Sequence, residues 1–154
     1  MSDIAGVTLT SNDETAQFAL GTVYTASDSK KYKYVQFNNG AGDVAAVAGN
    51  VVYYYAVSGT SAGQVDIVTM DITDSGGVGA GVLQTVLTDL YYGWVQIKGP
   101  ATLTTALTAG ADGNALTAIG ATDGTLDVSA LVTDAVVAYA IDASAKIVMC
   151  DFPE

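Results

Sequence analysis

The side chains of this 154-residue chain that could do chemistry are few and of a narrow kind. There is no histidine and no arginine; the five basic residues are all lysines, at positions 30, 31, 33, 98 and 146, and the one cysteine is Cys150. Proton shuttles near neutral pH, metal sites and forked anion clamps draw on His, Cys and Arg, so those classes lose most of their material. Carboxylates remain: Asp71 and Asp74, then Asp112, Asp123 and Asp127, all in glycine-rich stretches. Two carboxylates can share acid–base work when their surroundings push their pKa values apart, and clustered oxygens can hold calcium. Asp112-Gly113-Asn114 and Asp123-Gly124 lack the spacing of a calcium loop, and aspartate beside glycine is ordinary turn chemistry. The run Gly76-Gly77-Val78-Gly79-Ala80-Gly81 has neither the Lys-Ser/Thr nor the glycine spacing of a phosphate cradle; it reads as a loop or strand edge. Cys150, in Ile147-Val148-Met149-Cys150, reads as a small buried apolar residue. The expectation is a chain with no catalytic centre, no cofactor and no metal.

Contact chemistry is better supplied. Tyr53, Tyr54, Tyr55, Tyr91, Tyr92 and Trp94 are of the types that dominate interface hot spots, and equally of the types that pack across strands. Trp94 falls on the same predicted strand face as Gln96 and Lys98, which makes it the leading candidate for a subunit or ligand contact. Lys30, Lys31 and Lys33 form the only basic cluster, either a solvated turn or a rim that orients docking onto an acidic neighbour. The expected contact set is therefore Trp94, Tyr53, Tyr55, Tyr91, Tyr92, Lys30, Lys31 and Lys33.

Charge narrows the partners. The net charge is −11, which opposes binding to phosphate backbones and to anionic membrane surfaces. The longest nearly apolar run, Val44 to Val57, is shorter than a spanning helix and is broken by Gly49-Asn50. The first six residues carry neither the basic nor the apolar region of a signal peptide, so synthesis in a cytoplasm is expected. Half of the residues are apolar but only 14% are charged, below the usual quarter or so of a soluble domain. A surface so poor in charge predicts cover by another chain.

The elements that must position these groups read as strands. Residues 1–16 are polar and acidic and are expected to form a flexible arm ahead of a single β domain over 17–154. Phe18 to Thr25 and Tyr32 to Phe37 flank turn residues and predict a hairpin. Val51 to Val57, Gln64 to Ile72 and Tyr91 to Pro100 are strand candidates, with Pro100 marking the end of the last. Val78 to Leu90 fits a helical stripe in part, but its glycines and branched residues favour a strand. Residues 101–133 read as short strands and long loops, and Ala135 to Ile141 with Lys146 to Phe152 as a closing hairpin. The expected fold is all-β: an antiparallel β-sandwich or barrel, jelly-roll-like, with long Gly/Asp-rich loops.

The stretch Tyr92-Gly93-Trp94-Val95-Gln96-Ile97-Lys98-Gly99-Pro100-Ala101 resembles one found in small tailed-bacteriophage virion proteins. Gly79-Ala80-Gly81-Val82-Leu83-Gln84, Lys33-Tyr34-Val35-Gln36-Phe37, the run Ala45 to Asn50 and the hairpin strand Ala135 to Ala140 are similar in texture. Over residues 30 to 152 the chain thus resembles the capsid decoration, or cement, proteins. That resemblance implies a β-rich module on the outer face of an icosahedral head, a homotrimer at local three-fold positions that clamps neighbouring copies of the major capsid protein. It carries over no catalytic residue. The other expected reading is a carbohydrate-binding or adhesin-like β module, in which exposed aromatics and loop aspartates serve sugar and calcium.

Overall fold

The computed structural model describes residues 7–56 and 66–154 and folds them into ten strands, with no α-helix among the described residues. The strands are β1 (Val23–Thr25), β2 (Lys31–Phe37), β3 (Val51–Tyr55), β4 (Ile67–Thr69), β5 (Ser75–Leu83), β6 (Tyr92–Thr102), β7 (Ala115–Thr117), β8 (Asp127–Val128), β9 (Val136–Asp142) and β10 (Ile147–Asp151). A 3-10 turn, Ile72–Asp74, links β4 to β5. The fold is all-β, as the punctuated short runs predict, and of the expected alternatives it is the barrel that forms.

Five strands close on themselves in the order β2-β4-β3-β5-β6, because β2 also pairs with β6 from Lys31↔Lys98 to Gln36↔Tyr92. Every pairing is antiparallel except β2 with β4, where Gln36 and Phe37 lie beside Ile67 and Val68 in parallel. The N-terminal part of the same β2 edge takes β1, which completes the hairpin expected at residues 18–37. Closure leaves no free edge in the ring.

The second part of the molecule grows from β6. At 11 residues it is the longest strand. Its first half belongs to the barrel and its second half, Lys98 to Thr102, pairs with β10. From there the sheet runs outward through β9 and β7 to β8. Pro100, expected to end the strand, lies inside it opposite Met149. Past Lys98 only β10 pairs with β6, so the missing N–H falls where one side of the strand is unpaired.

The glycine run in β5 is where the two parts press together. A Cβ on Gly79 would lie 2.8 Å from the Phe152 ring, and one on Gly81 would meet the Val95 Cβ at 2.8 Å and the Gln96 carbonyl oxygen at 2.9 Å. These glycines are neither loop nor phosphate cradle; they let β5 pass close under its neighbours. The main core fills the barrel and the adjoining sheet face with Phe37, Tyr53, Leu83, Ile97, Leu116 and Phe152 among others.

A second, aromatic core lies on the opposite face of β6, formed by Tyr32, Tyr34 and Trp94. It is roofed by the chain's own N-terminal part. Val7, Leu9, Phe18, Tyr24 and Tyr92 pack against it. Asp13 and Tyr92 exchange two backbone hydrogen bonds of 2.9 and 2.8 Å, and Asn12 pairs with Thr88 through both its amide groups. Residues 7–16, read from sequence as part of a loose arm, are thus seated on the domain. Val7 and Leu9 alternate with Thr8 and Thr10, the period-2 pattern of a segment with one covered face.

Candidate interaction surfaces

The residues expected to form contacts divide by exposure. Trp94 is fully buried. Phe18, Tyr24 and Tyr34 ring it with centroids at 5.3, 6.2 and 5.1 Å. Its alternation opposite Val95 and Ile97 was legible, but the face it occupies is covered by β1 and residues 7–18, so it is a core residue and not a contact. Its indole N–H has no hydrogen-bond acceptor among the described residues, and the surrounding rings supply only weak π partners.

Tyr53 is also fully buried. Its hydroxyl donates to the Thr125 and Thr122 carbonyls and accepts the Thr125 N–H at 3.0 Å, which ties the 120s loop to β3. Lys33 is buried as well. Its ammonium lies 3.0 Å from an Asp66 carboxylate oxygen, 2.7 Å from the Tyr54 hydroxyl, and 5.1 Å from the Tyr54 ring centroid. These three residues are corrected from contact to structure, because each fills its own fold's interior.

Tyr55, Tyr91 and Tyr92 are half-buried, and Tyr92 stacks on Tyr34 at 6.2 Å. Lys30 and Lys31 are half-buried as well. Lys31 pairs with Glu154 at 2.9 Å. Next to it on β6, Lys98 pairs with Asp151 at 3.1 Å.

The aspartates do turn work. Asp71 is buried and accepts bonds from the Thr73 hydroxyl and from the Thr73 and Gly42 N–H groups, which hold its carboxyl below the usual range. Asp74 accepts the Ala41 N–H, Asp123 that of Ile72 and Asp112 that of Ala143. No group of three metal-ligating side chains converges among the described residues.

Burial moves several acids the other way. Desolvation pushes the Cys150 thiol from 9.0 to about 12 and the Tyr34 hydroxyl from 10.0 to about 12, and raises Tyr53 and Tyr32. Desolvation opposes the Lys33 charge, but the hydrogen bonds to Tyr54 and Asp66 outweigh it and the net shift is upward. Each of these groups binds its proton more tightly folded than unfolded. Stability is therefore complete below the unfolded values near 9 to 10 and falls as pH rises through the folded ones. Urea midpoints should hold steady to about pH 9 and drop steadily beyond it; a flat profile to pH 11 would contradict these burials.

Two of the surfaces left accessible among the described residues have the make-up of a contact site. The first is the outer face of the sheet beyond the barrel. Pro100, Met149, Tyr139 and Ala115 form one register row across β6, β10, β9 and β7. Met149 and Tyr139 are 41% and 48% exposed, and Val136 and Ile141 on β9 are similar. The sequence predicts a closing hairpin here, without an exposed apolar face. The signal that marks it as more is Val136-Val137-Ala138-Tyr139-Ala140-Ile141, six apolar residues with no polar alternate, so that a strand must show apolar groups on both faces. The second is a cleft of about 470 Å³ where β5 and β10 part along β6, lined among others by Lys30, Val82, Gln84, Gln96, Pro100 and Ile147. No match to the chain was found among protein-family models, curated proteins or solved structures.

Proposed function

We propose that the chain is a non-enzymatic virion structural protein: a module that binds the outer surface of a phage head and stabilises it by cementing neighbouring major capsid subunits, as a homotrimer. The observation that carries the reading is the exposed apolar row of Met149 and Tyr139 with Val136 and Ile141 on one sheet face. Such a face suits contact with another protein. The use of Trp94, Tyr53, Lys33 and the loop aspartates inside the fold fits a molecule that works through its shape. The resemblance of Tyr92 to Ala101 to the decoration proteins points the same way. A module that binds only the assembled shell stabilises that shell by mass action, and a trimer multiplies weak contacts.

The test uses purified protein and expanded phage heads, with native mass and co-sedimentation as readouts. The expected result is a trimer that pellets with heads and raises their disruption temperature. Tyr139→Ser with Met149→Ser should keep the fold and weaken head binding about tenfold or more, as loss of central apolar anchors does. A monomer that never co-sediments would end the reading.

A further inference from the structure

We infer that the cleft between β5, β6 and β10 is a binding site for a carboxylate side chain of an acidic polypeptide segment. Four observations meet there. The cleft, at about 470 Å³, is of ligand-site size. No carboxylate lines it, although the chain holds sixteen acidic residues. Lys30 stands at it with an ammonium that makes no hydrogen bond or ion pair among the described residues. By contrast Lys31, Lys33 and Lys98 are each paired with a carboxylate, and Lys146 donates to the Thr104 carbonyl.

The fourth observation concerns Gln84 and Gln96. Both use the amide nitrogen on nearby carbonyls: Gln84 on Val82, and Gln96, itself only 4% exposed, on Lys98 and Pro100. Their amide oxygens accept no hydrogen bond among the described residues. The site therefore offers one cation, two acceptors and the apolar groups of Val82, Pro100 and Ile147. A peptide carboxylate answers the ammonium, the N–H groups of its backbone answer the two amide oxygens, and its aliphatic atoms answer the walls. A sugar acid would answer the polar groups too, but no aromatic ring lines the cleft to stack against a pyranose. The strand divergence that opens the cleft is fixed by the fold: β5 leaves β6 after Val82↔Gln96, and β10 joins it at Lys98.

This inference goes beyond head binding and can be read on the isolated protein. The probes are a capped Glu-rich octapeptide, its Gln counterpart and glucuronate. The readout is the side-chain amide NMR resonances of Gln84 and Gln96. The Glu peptide should shift both saturably and more weakly as salt rises, with affinity about tenfold lower for the Gln peptide and for the Lys30→Gln protein. Lys30→Gln removes the charge of a half-buried side chain that belongs to neither core and keeps most of its stem, so the fold should persist, which the unchanged remainder of the spectrum would verify. Absence of saturable shifts at millimolar peptide, equal binding by the Gln peptide, or equal binding by Lys30→Gln would each overturn the site. Glucuronate binding as tightly as the peptide would overturn the polypeptide assignment.

Discussion

Trp94→Ala should cost about 3–5 kcal/mol of stability, the range for removing a fully buried large aromatic. For a chain of this size that lowers the melting temperature by roughly 10 °C or more. The reason is the position of the ring. It is the centre post of the aromatic core, with Tyr34 on its own sheet and Phe18 and Tyr24 brought in from the N-terminal segments. Its loss leaves a cavity with three rings around it and removes the support on which Val7 and Leu9 rest. Hydrogen exchange should therefore quicken at the Asp13 and Tyr92 amides, which close the roof. Trp94→Phe should cost less than half as much. The indole N–H has no acceptor to strand, so only volume is lost. Equal losses for the two variants, or no change at Asp13, would show that the roof is held by something other than this ring.

The second large effect is expected at the ion pair inside the barrel wall. Asp66→Ala should cost about 3 kcal/mol, because it leaves the Lys33 ammonium buried with one partner fewer. The side chains of the pair are 8% and 16% exposed, and Tyr54 alone then holds the charge. Removing the charge as well should recover most of the loss. The double variant Asp66→Ala with Lys33→Met is expected to be clearly more stable than the sum of the two single changes implies, since an apolar side chain in that place strands nothing. Urea midpoints of the four proteins form the cycle. Strict additivity would mean that the two side chains do not depend on each other in the fold.

These two sites also mark what could and could not be seen in the chain beforehand. The strand character of Tyr92 to Lys98 was plain, and so was its two-faced alternation, because Val95 and Ile97 interleave with Trp94 and Gln96. That both faces would be buried was not plain. The cover comes from Val7, Leu9 and Phe18, more than 70 positions away, and no local period announces such a partner. Lys33 shows the same limit. Beside Lys30 and Lys31 it looked like one more turn charge, and only the closing of the barrel brings Asp66 to it. The glycines of β5 misled in the other direction, since a residue that lacks a side chain is as useful for close approach as for a turn. Hairpins, which depend on neighbours in sequence, were readable at 18–37 and 135–152. The β2–β6 seam that closes the ring joins residues about 60 apart and left no trace that a short window could hold.

The dual membership of β6 has a mechanical meaning. One continuous backbone is zipped to β2 and β5 along its first half and to β10 along its second. A pull on the outer sheet is thus carried lengthwise into the ring through a covalent strand, and must slide many ladder bonds at once before anything yields. The part that presents the apolar row is thus joined to the ring through β6 itself, and a load on one is passed to the other along that strand.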